Sequence, residues 1–246
     1  MKQRWSDYLI LVLALTVLWQ LAYQLAGPDA ITPPLQTVER LGQLVRQEGF
    51  WEHARATGLA FACAAVLALV GGLVIGTAIG SSSAAREILS PILETLYSIP
   101  KIVLYPVILL IFGLGISAKI AFGAIHGFFP VALFAIGAIR NIRPVLLRTG
   151  RVLRLPRLSL ARHILVPATL PEIVTGLRIG FSTTLLGTLI GELFASSQGL
   201  GFMLVRAMDN HNVPDIMALT LLLFLIATGA NSVILAIEHR VHAHGR

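Results

Sequence analysis

Ionisable side chains inside strongly apolar stretches are the residues of this sequence best suited to chemistry. Glu94, Ser98 and Lys101 follow one another at spacings of four and three residues, which places them on one face of a helix. In a span that begins near Pro91, Lys101 would lie roughly 15 Å deep at 1.5 Å per residue. A charge near the bilayer centre costs about 3 kcal/mol and normally faces a protein interior or water. One interpretation is that this face, together with Pro100, lines a path for a solute.

The alternative for this stretch is a span that begins near Ile102, which would leave Lys101 at the membrane interface. Two further ionisable residues lie in other apolar stretches. Glu192 is near the end of the fifth stretch, where it could either gate a path or cap a helix at the interface. His126 fits a packing role better than the role of a proton carrier.

Motifs for catalysis are missing from the sequence. The chain has three lysines, Lys2, Lys101 and Lys119, and none lies in the Gly-Lys-Ser/Thr context that a phosphate-binding loop requires. A His-Glu-x-x-His metal motif is also absent. Three residues in the C-terminal part are of types that bind metals: Asp209, His211 and Asp215. Their spacing alone is only weak evidence for a metal site. We therefore expect a non-catalytic chain that binds no metal and no cofactor.

The composition indicates a membrane protein. Of 246 residues, 56% are hydrophobic and 13% are charged, whereas a soluble domain usually has about 25% charged residues. Six windows are apolar enough to cross a hydrocarbon core of about 30 Å. They are residues 8–26, 57–79, 91–112, 119–139, 173–195 and 216–237. Because these runs do not alternate between apolar and polar residues, they predict helices and exclude a barrel.

Counting lysine and arginine in the short loops predicts the orientation of these spans. With a cytoplasmic N-terminus, the cytoplasmic segments carry twelve: Lys2, Arg4, Arg86, Arg140, Arg143, Arg148, Arg151, Arg154, Arg157, Arg162, Arg240 and Arg246. The opposite side carries five: Arg40, Arg46, Arg55, Lys119 and Arg206. Both termini are therefore predicted to be cytoplasmic. Because the arginine cluster lies between two predicted spans, a cytoplasmic location explains it more simply than nucleic-acid binding does.

The segment of residues 140–171, which we call the elbow, carries apolar residues between its arginines and no acid. This pattern predicts two short amphipathic helices divided near Gly150 and Pro156. Pro167 and Pro171 are expected to stop the second helix and redirect the chain into the fifth span. Such an elbow could dock on another protein, or it could lie among lipid headgroups with its arginines on anionic lipid.

Glycines recur at four-residue spacing in the predicted spans, for example at Gly72, Gly76 and Gly80. Small residues at this spacing allow helix backbones to approach closely in lipid. Packing within the chain is the simpler explanation for each stripe, and a seam between two copies is the alternative. Outside the spans, residues 32–56 are suited to an interfacial helix. With the loop of residues 195–215, they could form a platform for an external partner.

Several stretches of this sequence resemble the transmembrane permease subunits of binding-protein-dependent ABC importers, in the nitrate/sulfonate/taurine branch. The clearest stretches are SPILETLYSIPKIVLYPVILLIFGLGISAKI, HGFFPVALF, ILVPATLPEIVTGLRIG and GELFASSQGLGFML. The resemblance covers roughly residues 32–240. It implies an all-α polytopic protein with about six transmembrane helices and the type I importer (MetI-like) fold. The whole chain, 1–246, would be one transmembrane domain with a core of about residues 50–240.

In that family the cytoplasmic loop carries a Glu-Ala-Ala signature with a later glycine, and it seats in a groove of the ATPase subunit. Aligned on Pro167, the triplet falls on Arg148, Thr149 and Gly150, and the glycine falls on Arg154. The acidic and glycine members are therefore lost, and Pro156 with Gly150 would supply the turn. The resemblance assigns ATPase coupling to Arg148, Thr149, Gly150, Arg154, Leu155, Pro156, Ile164, Pro167 and Pro171. Glu192 occupies the family's matching glutamate position and joins Glu94, Ser98, Pro100 and Lys101 as a candidate for the translocation path.

The resemblance also implies the partners and the place of the chain. It would act as a homodimer in the bacterial inner membrane, with ATP and magnesium bound by separate ATPase subunits and with a periplasmic or lipid-anchored substrate-binding protein outside. The expected cargo is a small anion of the sulfonate, taurine or nitrate type. The alternatives are a pyrimidine-type vitamin precursor as cargo, or a secondary transporter, although the chain has no internal repeat and is short for that class.

Overall fold

The computed structural model describes residues 2–194 and 196–244, which form helices joined by short connections. Met1, Ala195, Gly245 and Arg246, some of which enter the predicted spans and the charge count, lie outside the described residues. The helices are α1 (Lys2–Ala26), α2 (Pro34–Val45), α3 (Phe50–Gly80), α4 (Ser83–Ser98), α5 (Tyr105–Phe112), α6 (Ile116–Arg140), α7 (Pro144–Val152), α8 (Arg157–Leu160), α9 (Val166–Phe194), α10 (Leu200–Asp209) and α11 (Val213–His244).

Five helices of the described chain are long and apolar enough to cross a membrane. They are Leu9–Ala26, Phe50–Gly80, Ile116–Arg140, Leu158–Phe194 and Val213–Ala236. The stretch that contains the predicted span at 91–112 is instead a bent pair of helices. If this pair is counted as one span, the number of candidate spans rises from five to six. The two parts, Ser83–Ser98 and Lys101–Phe112, are bent by 87° at a short break.

The bend has a local cause at Ile99 and Pro100. Pro100 disfavours helical geometry in the residue before it, and Ile99 is accordingly extended, with φ −66° and ψ 131°. A 3₁₀ turn, Lys101–Leu104, then leads into α5. The expectation that Glu94, Ser98 and Lys101 share one face of one helix is therefore wrong, because the helix that holds Glu94 and Ser98 ends before Lys101.

The centre of the protein is a bundle of α3, α6 and α9, which pack directly on one another. The glycines at four-residue spacing lie in these contacts. A Cβ atom at Gly72 would lie 2.8 Å from the carbonyl oxygen of Phe128, and one at Gly127 would lie 2.6 Å from that of Gly180. The interpretation of these stripes as packing within the chain is confirmed.

α3 and α6 run parallel to each other, and α9 runs antiparallel to both, so the bundle has two ends. The end that carries the elbow is called the arginine end, and the end that carries the connections around residues 46–50, 113–116 and 196–213 is called the loop end. α1 is exposed along most of its length and touches α2, where Trp19 Nε1 donates to the Thr32 carbonyl oxygen at 3.0 Å.

The loop end is closed by α2 and α10, which both pack on α11. Leu44, Ala207 and Leu219 are buried together at this junction. Arg40 donates to both carboxylate oxygens of Asp215, at 2.5 and 3.1 Å. The hydrogen bonds to Asp215 raise the pKa of Arg40. The predicted platform of residues 32–56 and 195–215 is thus one packed surface.

Candidate functional site

The elbow forms a tight helical corner at the arginine end. Gly150, near the end of α7, is buried, and a Cβ atom there would crowd the side chains of Leu160 and Ile164. The contact holds α7 against the helical turns that precede α9. The division near Gly150 and Pro156 that the sequence predicts is therefore confirmed, with Gly150 at the contact and Pro156 immediately before α8.

The turn after α7 is a Schellman motif with an arginine in its left-handed position. The Leu155 N–H donates to the Gly150 carbonyl oxygen at 3.1 Å, and the Arg154 N–H donates to that of Arg151 at 3.0 Å. Arg154 itself has φ +49°. This position favours glycine, since a Cβ atom there costs roughly 1 kcal/mol. Arg154 is also the residue that aligns with the signature glycine of the family that the sequence resembles.

Pro167 and Pro171 do not stop the second helix of the elbow, which corrects the expectation from sequence. α8, a π-helical turn at Ala161–Leu165 and α9 form one continuous helical element, Leu158–Phe194, of 37 residues. A proline ring normally collides with the carbonyl four residues earlier. For Pro167 that carbonyl belongs to His163, which lies inside the wider π-helical turn. The elbow is consequently joined to the central bundle without a break.

The side chains of the elbow divide into a packed set and an exposed set. Ile164 and Leu155 are half-buried, whereas Arg148, Thr149, Arg154, Pro156 and Pro167 are exposed. The side chain of Arg157 lies outside the described part. Three exposed apolar residues, Val152, Leu153 and Leu158, lie among the arginines, and Val152 and Leu158 are more than 80% exposed. The corner thus presents apolar and cationic groups together.

The structure places Lys101 at the bend between α4 and α5, away from Glu94. Its Nζ donates to the Tyr97 carbonyl oxygen at 2.9 Å and lies 4.4 Å from the centre of the Tyr97 ring and 5.6 Å from that of Phe129 in α6. Such contacts between an ammonium and aromatic faces stabilise a cation where water is scarce. Among the described residues Lys101 has no carboxylate in ion-pair distance. Its positive charge is therefore not neutralised by a described carboxylate.

Glu94, Ser98 and Pro100, the other predicted path residues in this stretch, are exposed, and the Ser98 hydroxyl donates to the Glu94 carbonyl oxygen of its own helix. Glu192 lies at the loop end, in a different part of the bundle.

Glu192 is the centre of a buried polar cluster. Its side chain is inaccessible to solvent, so it does not lie at an exposed interface, although it does accept an N–H from the first turn of α10. The Thr57 hydroxyl donates to its carboxylate at 2.8 Å, and the Gly201 N–H donates at 3.0 Å. Lys119 Nζ lies 3.6 Å from the same carboxylate. Three different helices, α3, α6 and α10, thereby meet at one residue of α9.

The Glu192 cluster also fixes the connection between α9 and α10. Lys119 Nζ donates to the Gln198 carbonyl oxygen, and the Thr57 hydroxyl accepts the Leu200 N–H at 2.8 Å. Gly199, with φ +123°, donates its N–H to His53 Nδ1 at 3.1 Å. Sequence reasoning had placed Lys119 among loop charges and had missed Thr57. The signal that could have drawn attention to them is Gly199-Leu200-Gly201, which follows Glu192 closely and offers backbone donors.

His126 and Asp215, two further candidates from the sequence, make contacts that fit structural roles. His126 Nδ1 lies 2.9 Å from the Phe122 carbonyl oxygen and its ring packs on Phe122, which supports the packing role. No group of three potential metal ligands occurs among the residues that the structure describes, and Asp215 is paired with Arg40. Sequence reasoning overlooked Arg178, which borders a cavity of about 330 Å³ between α9 and α11 with Ser182, Thr183 and Asn231.

Comparison with known proteins supplies the context for this geometry. Residues 68–243 match the family described as binding-protein-dependent transport system inner membrane component. The chain is 34% identical to the taurine transport system permease protein TauC of Escherichia coli (strain K12), over 80% of this chain and 74% of TauC. It is 26% identical to the putative aliphatic sulfonates transport permease protein SsuC of Bacillus subtilis (strain 168), over 96% and 87% of the two chains.

A solved structure of the MetNI methionine ABC transporter, in inward-facing conformations, has the same fold. The TM-score is 0.62 at 21% identity, and the match covers 78% of this chain and 94% of that chain.

Proposed function

The chain belongs to the binding-protein-dependent transport system inner membrane components, and from this membership we propose that it is the permease subunit through which an ATP-driven importer moves a small anion. Two of its relatives are named for the transport of taurine and of aliphatic sulfonates. Hydrolysis takes place on separate ATPase subunits, which bind ATP and magnesium, and this chain contributes no catalytic residue.

The arginine end faces the cytoplasm in this proposal, and both termini lie on that side. The excess of arginine at that end supports this orientation through the positive-inside rule. The ATPase then contacts the elbow, and an external substrate-binding protein, periplasmic or lipid-anchored, docks on the loop end formed by α2 and α10. Two copies of the chain form the pathway between them in the inner membrane.

The observation that carries the mechanism is the continuous helical element Leu158–Phe194. It begins in the elbow and reaches the Glu192 cluster at the other end of the bundle. At 1.5 Å per residue its 37 residues span about 55 Å, well beyond a hydrocarbon core of about 30 Å. A displacement of the elbow by the ATPase is therefore transmitted along one helix to the loop end.

This transmission opens and closes the pathway by rigid-body movement. α9 is packed against α6 and α3 through glycines whose neighbours leave no room for a side chain. Such close-packed contacts switch between discrete arrangements and do not deform continuously. ATPase closure drives α9 towards the outward-facing arrangement, and release of the nucleotide products allows its return.

Replacing Gly150 by valine tests the coupling. The new side chain would collide with Leu160 and Ile164 and separate α7 from the helical element that continues as α9. We expect uptake to fall at least about tenfold in reconstituted vesicles while the ATPase still hydrolyses ATP, since only the link between the two steps is damaged. Gly229→Val is the matched control, because a Cβ atom at this glycine of α11 meets nothing within 4 Å, and it should leave uptake unchanged. Equal uptake by both variants and the wild type would contradict the mechanism.

The anionic nature of the solute is supported by Lys101. This ammonium is held by two aromatic rings at the bend, close to the middle of α6, and faces no described carboxylate. A cation in this position lowers the electrostatic barrier that an anion meets inside a membrane. A neutral vitamin precursor would gain nothing comparable from it.

Lys101→Met is therefore expected to reduce uptake of taurine or an alkanesulfonate by about tenfold, because the variant keeps the length of the side chain and removes its charge. Lys101→Arg should retain most of the uptake. The measurement is uptake of labelled solute by vesicles that contain the permease, the ATPase and the binding protein. Full activity of Lys101→Met would remove this residue from the path.

A further inference from the structure

We infer that the elbow docks on an ATPase surface lined with carboxylates, so that a charge-complementary contact selects the ATPase subunit. The inference rests on the proposed function, and it adds the chemistry of the receiving surface. It depends on the exposure of the elbow arginines, their lack of internal partners, their distance from the membrane and the strained backbone of Arg154.

The elbow is a concentrated positive surface. Arg148, Arg151, Arg154 and Arg162 are all exposed. The ion pairs in the described part of the chain are Arg40–Asp215 and Lys119–Glu192, so none of these four arginines has a described carboxylate as its partner. The sequence contains no acid between Glu94 and Glu172, and Glu172 already accepts a hydrogen bond from Asn141 at 3.2 Å. Within the described residues these four charges have no carboxylate partner, so an acidic surface of another protein can receive them.

The position of the elbow favours a protein over a lipid surface as that molecule. The helical element Leu158–Phe194 has 37 residues and a length of about 55 Å at 1.5 Å per residue. A hydrocarbon core of about 30 Å leaves about 25 Å of this element outside the core, so the corner can lie beyond the headgroup layer. Exposed Val152, Leu153 and Leu158 also give the surface an apolar part beside the arginines. Apolar contacts and arginines together are typical of protein interfaces.

Arg154 supplies an independent indication that the charge has a use. It occupies a left-handed backbone position, at φ +49°, where glycine would remove the strain. When a residue on a functional surface keeps a strained backbone conformation, this indicates a role for its side chain. The guanidinium is exposed and makes no compensating contact within the described chain, so its benefit must arise in the complex.

The test is binding of purified candidate ABC-importer ATPase subunits to the permease in nanodiscs. Arg148→Glu combined with Arg151→Glu should weaken binding at least about thirtyfold, because two favourable pairs become repulsive. Arg206→Glu, an exposed arginine of the loop end, is the control and should change binding less than twofold. Changing two acids of the ATPase groove to arginine should restore binding to the double variant and weaken it for the wild type.

Arg154→Gly is the second variant, and it should have opposite effects on stability and binding. It is expected to raise the thermal unfolding temperature, because the strain is relieved, and to weaken ATPase binding severalfold, because a charge is lost. This combination separates an interface role from a merely structural one.

The outcomes are distinguishable. If the wild-type permease binds no ATPase, the proposed function fails. If it binds and the double reversal has no effect, the inference fails and the proposed function stands. If binding depends on anionic lipid in the nanodisc and remains insensitive to the reversal, the arginines serve the membrane and the inference is overturned.

Discussion

Replacing Glu192 by alanine is expected to lower the free energy of unfolding by about 3–5 kcal/mol, the usual cost of removing one partner from a buried ion pair. The variant leaves the Lys119 ammonium buried beside no anion, and it removes the acceptor of the Thr57 hydroxyl and the Gly201 N–H. Thermal or denaturant unfolding of the purified protein in detergent measures the change. The connection at 196–201 should also become sensitive to protease, because its backbone loses its anchor.

A double-variant cycle shows whether the loss arises from the unpaired charge. Lys119→Met combined with Glu192→Ala should recover part of the stability, since an apolar pair leaves no charge buried. Lys119→Met alone should be nearly as harmful as Glu192→Ala, because it leaves the carboxylate without its cation. If the double variant is less stable than both single variants, the pair is not the source of the effect. Glu94→Ala, at an exposed site, should change stability by less than about 0.5 kcal/mol.

The course of the long spans could be predicted from the sequence, because hydropathy and glycine spacing are local properties. The predicted runs at 57–79 and 119–139 lie within α3 and α6, and Gly72, Gly76 and Gly80 lie in the contact between those helices. In lipid, close backbone contact is a main source of helix association, so small residues mark the packed faces directly.

The Glu192 cluster could not be predicted in the same way, because it depends on distant pairing. Lys119 and Thr57 are 73 and 135 residues away from Glu192 in the sequence. Nothing local to Lys119 shows that it turns inward, since a lysine near the start of a span usually reaches the interface. Its burial follows from the carboxylate and the Gln198 carbonyl oxygen, which only the folded bundle brings to it.

Pro100 and Pro167 have different effects on the helices around them. A proline removes one donor and excludes one geometry, but its effect depends on the turn that precedes it. Before Pro100 the extended Ile99 breaks the helix, and before Pro167 a widened π-helical turn accommodates the ring. The sequence showed prolines in both places without showing which of these local solutions applies.

Replacing Gly76 by valine is expected to destabilise the protein by about 3 kcal/mol, at the upper end of the usual cost of overpacking. A Cβ atom at Gly76 would lie 2.5 Å from the Ala132 carbonyl oxygen and 2.8 Å from its Cα atom. Both obstacles belong to the backbone of α6 and cannot rotate away, so α3 and α6 must separate. Unfolding of the purified variant, followed by temperature or denaturant, measures the loss.

Gly58→Val is the matched control, because Gly58 lies in the same helix α3 and a Cβ atom there meets nothing within 4 Å. Its effect gives the intrinsic cost of valine in this helix, and the difference between the two variants isolates the contact with α6. We expect that difference to exceed about 2 kcal/mol, and Gly76→Ala should show a large part of it, since the first carbon already collides. Equal stability of the Gly58 and Gly76 variants would show that the helices do not pack through this stripe. The close contacts through which α9 is proposed to move its neighbours would then need another explanation.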